Sequence, residues 1–313
     1  MKKIVTFLAV SALVTVCTTA HATEGTKGSE IVNDLLQDGL SLDDAKYYAE
    51  LDGLVKQLSN DNKVVSFNGV EEVSDDYART HPQEMRKRVL KLDPAALKKA
   101  AKSNVNLMEH GQTDIQKQIE SDRKKNSIKQ SYEVKYPDGS KVTMKFGTEK
   151  AVDSSTDKVE TNTHVIGPWN SSSFMFMDPG VTASGNYNTW CEWSFSSGVN
   201  YSKLKDILNW NYNKTSSVST DTTRAVSDTG SSASYGVVQI DNESLSNIGS
   251  YNAQGVWQYI QGYTDVRFKV TASFSASYMG LGVSGNAGAQ WHQYAINEVD
   301  GSGTPEHYAA TYQ

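Results

Sequence analysis

The sequence predicts an α+β protein, in which a charged helical region with a β-hairpin precedes an antiparallel β-sandwich or open barrel. Residues 23–160 hold 47 charged side chains and no tryptophan, whereas residues 161–313 hold 17 charged side chains, all six tryptophans and 11 of the 16 tyrosines. Apolar residues recur at helical spacing in the first part. In the second part, short segments in which apolar and polar residues alternate are separated by turn residues. The break near residue 160 predicts two structural units.

Residues 1–22 have the pattern of a cleavable signal peptide. Lys2 and Lys3 precede an apolar run from Ile4 to Cys17, and Ala20-His21-Ala22 supplies the small residues that cleavage requires. The run is shorter than the roughly 20 residues that a membrane-spanning helix needs. We therefore expect a secreted, extracellular protein with no transmembrane anchor.

The two cysteines fit this interpretation. Cys17 leaves with the signal peptide, and lipid attachment at Cys17 is disfavoured because Val16 stands where a small residue is expected. Cys191 then remains alone and cannot form an internal disulfide. We expect it to be a small buried hydrophobic residue rather than a catalytic thiol.

The net negative charge of the chain indicates which classes of partner it can bind. The formal net charge is −6, and removal of the two N-terminal lysines makes it more negative. An acidic chain is repelled by phosphate backbones and by anionic lipid. We expect no nucleic-acid partner.

The charged helical region is assigned to residues 23–130. Ser29 opens a short helix that Gly39 ends, and Ser41 begins an approximate capping box. Asp93 with the proline that follows opens another helix. The charged segment Asp114–Lys125 has few apolar residues, so we expect an exposed or poorly ordered helix.

A β-hairpin is predicted at residues 131–150, because apolar residues alternate with polar ones on both sides of Pro137-Asp138-Gly139-Ser140. Residues 151–162 are rich in Ser, Thr, Asp and Lys and are interpreted as a linker. The β-sandwich then covers residues 163–313. Its strands are predicted at Trp190–Phe195, Leu208–Tyr212, Ala233–Ile240, Val256–Tyr263, Val266–Tyr278, Met279–Val283 and Gln290–Asn297.

The aromatic residues of this second part suggest a binding function. Exposed rings beside amide side chains stack on sugars, and the candidate ligand-binding residues are Trp190, Trp210, Trp257 and Tyr259. The alternative is that most of these rings fill the sandwich core. The leading hypothesis is a secreted bacterial, non-catalytic protein that binds a cell-wall or other surface polymer, such as a glycan.

A second hypothesis comes from one strand pattern. Val270, Phe274 and Tyr278 belong to an apolar series that alternates with Ser and Thr. This pattern is similar to the membrane-inserting hairpins of aerolysin-like β-pore toxins. The resemblance implies a secreted membrane-active toxin or bacteriocin-like protein that contacts a membrane surface, with the N-terminal region as a removable pro-segment. An ordinary half-buried strand has the same alternation.

An extracellular hydrolase is the third hypothesis. Asp228 opens an Asp-Thr-Gly-Ser segment that resembles the signature of pepsin-like aspartic proteases, but the sequence has no second copy, and a turn explains it equally. Asp241 and Glu243 would share one face of a strand, where paired carboxylates can cut glycosidic bonds, although a polar turn is favoured. No motif indicates a metal or a cofactor, and no catalytic residue is assigned.

Overall fold

The computed structural model describes residues 28–151, 176–177, 179–217, 221–253, 257–281 and 290–312. The predicted signal peptide lies outside the described residues, as does the predicted linker beyond Ala151. Among the described helices, none is long and apolar enough to cross a membrane.

The helices begin where the sequence provides caps. Ser41 Oγ accepts a hydrogen bond from the Asp44 amide at 3.1 Å, and Asp93 caps its helix through the amides of Ala95 and Ala96. Gly39, at φ +86°, ends the first helix as predicted. The helices are α1 (28–37), α2 (Leu42–Asn60), α3 (Asp75–Thr80), α4 (Pro82–Leu90), α5 (Pro94–Lys124) and α6 (Ala272–Met279).

The expectation of an exposed or poorly ordered helix at Asp114–Lys125 is wrong. This segment is the last part of the 31-residue helix α5. Ile115 and Ile119, four residues apart, are both buried in the main apolar core. Tyr136 of the hairpin also donates a hydrogen bond to Asp114 at 3.0 Å. Ile115 and Ile119, together with the apolar residues earlier in α5, therefore hold this charged segment against the core.

In the described part of the chain, two five-stranded antiparallel sheets confirm the α+β fold class with a β-sandwich. Sheet A has the strand order β1-β2-β4-β5-β6, and sheet B has the order β3-β10-β9-β8-β7. The strands are β1 (Ser131–Lys135), β2 (Lys141–Lys150), β3 (Phe176–Met177), β4 (Gly185–Ser196), β5 (Asn200–Asn213), β6 (Thr222–Gly236), β7 (Val238–Ala253), β8 (Trp257–Val270), β9 (Gln290–Asp300) and β10 (Pro305–Tyr312).

The predicted hairpin forms, with Tyr132 opposite Met144 and Val134 opposite Val142. However, it is not separate from the sandwich. Strand β2 pairs with β4 over ten residues, so the hairpin is the edge of sheet A. One apolar core extends from α1 through both sheets. The composition break near residue 160 therefore does not divide the molecule into two units, because both parts contribute strands to one sheet.

The predicted strand Ala233–Ile240 is two strands. At Gly236 the chain leaves sheet A, and from Val238 onward it runs in sheet B. Gly236 has φ +113°, and a Cβ there would overlap the Val199 carbonyl oxygen. Only glycine permits this passage between the sheets.

The predicted strand Val266–Tyr278 is also wrong beyond Val270, because Ala272–Met279 forms α6. Phe274 and Tyr278 are four residues apart and both buried, so they share one helical face. In this segment large apolar residues recur at every fourth position, a spacing that fits one face of a helix as well as one face of a strand. Helix α6 includes Met279, so no strand begins there as predicted, and residues 282–289 lie outside the described part of the chain.

The helical region packs on one end of sheet A. Tyr48 donates to the Ser197 carbonyl oxygen at 2.9 Å, and Tyr47 donates to the Gly198 carbonyl oxygen. Asp38 bonds to Tyr201 and Lys203 on β5. These contacts fix α1 and α2 at the β4–β5 turn, at the Tyr201 end of the outer face of sheet A.

The two sheets approach each other closely at two glycines. A Cβ at Gly230 of β6 would overlap Thr264 Oγ1 on β8, and a Cβ at Gly262 of β8 would overlap Asp228 Oδ1 on β6. Each sheet therefore places a polar side chain against a glycine of the other sheet. We call this pair of contacts, with Asp206 and Asn297 beside them, the polar joint.

Substitution of Gly230 or Gly262 by alanine is expected to separate the sheets locally. The overpacking should lower the free energy of unfolding by about 1–3 kcal/mol, measured by urea denaturation. Gly53→Ala is the matched control, because Gly53 lies in α2 and a methyl group there would meet no other atom within 4 Å. That variant should gain about 0.5–1 kcal/mol. Wild-type stability of both joint variants would contradict this packing.

Candidate functional site

Trp190 lies in the middle of the outer face of sheet A. Its neighbours in the sequence point into the sandwich, so the ring points outward and is partly exposed. In the sheet it stands between Gly147 of β2 and Ile207 of β5. A Cβ at Gly147 would come within 3.3 Å of the ring, so the indole lies over a glycine that leaves room for it.

Amide side chains continue this face toward one end of the strands. Asn188 is opposite Asn209, and Asn186 is opposite Asn211. Asn211 Nδ2 donates to Asn186 Oδ1 at 2.9 Å, whereas Asn188 Oδ1 is buried without a hydrogen-bond donor among the described residues. We call Trp190, Ile207 and these four asparagines the Trp190 face.

Charged groups border the Trp190 face on its other side. Lys205 Nζ lies 5.4 Å from the centroid of the Trp190 ring, a cation–π geometry. Glu192 Oε1 is 3.5 Å from Lys145 Nζ, and Glu192 Oε2 is 3.4 Å from Lys203 Nζ. One ring, an amide ladder and a paired charge cluster thus occupy one continuous surface, which suits a ligand with hydroxyl groups and an apolar side.

The other three predicted ligand-binding residues do not join Trp190. Trp210 is wrong as a surface residue: it is completely buried, packs against Tyr187 and donates from Nε1 to Thr189 Oγ1 at 2.9 Å. Trp257 begins β8, but its side chain lies outside what the structure describes. Tyr259 is partly exposed on the outer face of sheet B, so Trp190 and Tyr259 are on opposite sides of the sandwich.

Tyr259 lies near a buried acidic pair that sequence analysis missed. Glu298 stands directly opposite Glu306 and Gln261 on the neighbouring strands. Gln261 donates to Glu298 and Tyr308 donates to Glu306, both at 2.5 Å. Burial raises the pKa of Glu306, and burial with the nearby carboxylates raises the pKa of Tyr259. The strand alternation alone gave no reason to expect buried glutamates on an outer face.

Asp228 is not in a turn, contrary to expectation. It lies inside β6, and its carboxyl group points into the sandwich beside Asp206 of β5. A pepsin-like protease needs a second carboxylate beside the first. Here that neighbour is Asp206, and the sequence around Asp206 has no Asp-Thr-Gly pattern. However, Asp206 is completely buried and Asp228 nearly so. Because a peptidase dyad must reach water and substrate, this geometry does not fit that resemblance.

Asp241 and Glu243 do not share one face. The β7–β8 register shifts between Ile240 and Asn242, and this bulge turns the chain. Asp241 bonds to Arg267 on the outer face of sheet B at 2.6 Å. Glu243 accepts a hydrogen bond from Ser232 of sheet A. The two carboxylates therefore have separate partners. The prediction of a turn is also wrong, since both residues lie in β7.

A cleft of about 310 Å³ lies where α2, α4 and α5 meet the β4–β5 turn. Arg86 is placed over the Tyr47 ring at 4.8 Å and bonds to Asp44 at 2.5 Å. Burial raises the pKa of Asp44, but hydrogen bonds from Ser41 and Arg86 outweigh it and hold that pKa below the ordinary value. Since Arg86 and Asp44 already neutralise each other, neither offers a small molecule an unpaired charge. Within the described residues, no three His, Cys, Asp or Glu side chains are grouped to hold a metal ion.

Cys191 is completely buried on the inner face of β4, as expected of a structural residue. Burial raises the pKa of its thiol, and the nearby Asp206 carboxyl adds to this effect. Such a thiol is not a nucleophile at neutral pH.

Ellman's reagent should therefore leave Cys191 unmodified in the native protein and modify it rapidly once urea unfolds the chain. Peptide mapping locates the modified residue, and the exposed thiol of glutathione serves as the reactivity control. Modification of Cys191 in the native protein at the glutathione rate would contradict the described burial.

Comparison of the chain with protein-family models, with curated proteins and with solved structures gives no match.

Proposed function

We propose that this protein is an extracellular, non-catalytic binding protein that recognises a surface polymer, such as a cell-wall glycan, through the Trp190 face. The observation that carries the proposal is the partly exposed Trp190 ring in the middle of a sheet face, next to four asparagines. A flat ring stacks on the apolar side of a sugar, and amides bond to its hydroxyl groups. The N-terminal sequence supports secretion.

The exposed arrangement suits a long ligand rather than an enclosed small one. The Trp190 face is a strand surface, and its polar groups follow the direction of β4 and β5. A polymer laid along these strands would meet the asparagines and then the ring in succession. The partly exposed side chains of Asn186 and Asn209 would form hydrogen bonds with ligand hydroxyls.

Trp190→Ala should strongly reduce retention of the protein on the polymer that it binds. The probes are insoluble peptidoglycan, cellulose, chitin and xylan, each used in a sedimentation assay with the full chain. Loss of one stacked ring should weaken binding about tenfold or more, equivalent to about 1.4 kcal/mol. Trp190→Phe, which keeps an aromatic ring, should retain part of the binding.

Two controls define the surface. Ser194→Ala alters the same strand and the same outer face away from the ring, and it should bind as the wild type does. Tyr259→Ala alters the opposite side of the sandwich and should also leave binding unchanged. Equal binding by Trp190→Ala and wild type would contradict the proposed surface, and failure of the wild type on all four polymers would contradict polymer binding itself.

The two other hypotheses receive no comparable support. The strand that suggested a membrane-inserting hairpin contains α6 beyond Val270, so the membrane-active hypothesis loses its motivating pattern. Calcein release from liposomes remains its direct measurement. The hydrolase hypothesis rested on Asp228, which is enclosed in the sandwich, and on Asp241 with Glu243, which have separate partners.

A further inference from the structure

Two aspartates lie side by side in the interior of the sandwich, at the polar joint. Asp206 of β5 is 0 % exposed and Asp228 of β6 is 6 % exposed. Asp206 accepts hydrogen bonds from Thr264 Oγ1 at 2.9 Å and from Asn297 Nδ2 at 2.6 Å. Both donors belong to sheet B, so Asp206 is a polar link between the sheets.

Asp228 has a different environment. Neither of its carboxylate oxygens accepts a hydrogen bond of normal geometry, although the amides of Asn247 and Tyr263 lie near enough to favour its charged form. An ionised carboxylate can only accept hydrogen bonds, so Asp206 and Asp228 cannot form a hydrogen bond with each other if both are ionised. If one carboxyl holds a proton, it donates to the other.

Side chains from four strands surround the pair. Strand β4 contributes the Cys191 thiol, β8 contributes the Thr264 hydroxyl and the Tyr263 amide, and β9 contributes the neutral Asn297. From β10, His307 Nδ1 lies 2.8 Å from Asn297 Oδ1 and fits as the donor that orients this amide toward Asp206. No lysine or arginine is among the described groups that act on the two carboxyls. Two buried negative charges without a cation are strongly unfavourable.

We propose that Asp206 and Asp228 share one proton, and that this proton makes the joint between the two sheets a pH-sensitive lock. Asp206, with two donors, is the ionised member, and Asp228 carries the proton and donates it toward Asp206. When the pH rises, the O–H bond of Asp228 breaks and its proton passes to water. Two adjacent carboxylates then remain in the interior, and their repulsion loosens the contact between β5–β6 and β8–β9.

The direction of the pH effect follows from the pKa values. Burial, followed by the charge of its neighbour, raises the pKa of Asp228 above the ordinary aspartate value of about 3.9. Burial likewise raises the pKa of Asp206. Between about pH 4 and these raised pKa values, the folded protein binds more protons than the unfolded chain. Stability therefore falls as the pH rises, and the unfolding constant grows up to about tenfold per pH unit for each proton.

Asp228→Asn tests the proposal, because asparagine has the same shape and its amide replaces the donated proton. Urea denaturation between pH 5 and pH 9 should show the unfolding constant of the wild type rising with pH, and the variant should lose most of that rise. Asp61→Asn is the matched control, since Asp61 is exposed and pairs with Lys63 on the surface. It should follow the wild-type profile.

Parallel pH profiles for Asp228→Asn and the wild type would overturn the proposal. If the variant does not fold, infrared spectroscopy of the wild type decides instead. The native protein at neutral pH should show the C=O stretch of a protonated carboxylic acid, which disappears when the chain is unfolded at the same pH. A native spectrum with carboxylate bands alone at neutral pH would equally overturn the shared proton.

Discussion

The contact on which the sandwich depends is the hydrogen bond from Thr264 Oγ1 to Asp206 Oδ1, which crosses from sheet B to sheet A. A buried carboxyl is costly unless its oxygens are bonded, so the two sheets must stay in the one register that supplies these donors. Thr264 reaches Asp206 only because Gly230 leaves the necessary space. The polar joint therefore fixes the position of one sheet on the other, whereas apolar contacts alone tolerate small shifts.

The same joint determines which side of sheet A meets the solvent. Asp206 faces inward on β5, so its partner in the register, Cys191 of β4, also faces inward. Side chains alternate along a strand, and Trp190 must then face outward. Among the described residues, the helical region contacts this face at its end near Tyr201. The surface proposed to bind a polymer is thus a consequence of a polar contact on the other side of the sheet.

Local features of the fold were predictable because local chemistry determines them. The Ser41 and Asp93 caps, the Gly39 stop and the 131–150 hairpin follow from residues that are close in sequence.

The side of the sheet on which an aromatic ring lies was not predictable. Trp190 and Trp210 both alternate with polar residues, and only the partner strands decide that one ring is exposed and the other is buried. The same holds for Asp228, whose partner Asp206 lies 22 residues away along the chain. Helix α6 was missed because its residues repeat with periods that fit both a strand and a helix.

Native-state hydrogen exchange tests most directly whether the polar joint makes the two sheets one cooperative unit. We expect the slowest amides of β5 and β6 in sheet A and of β8 and β9 in sheet B to exchange with the same free energy, equal to that of global unfolding. Exchange of one sheet at a clearly lower free energy, while the other stays protected, would contradict it.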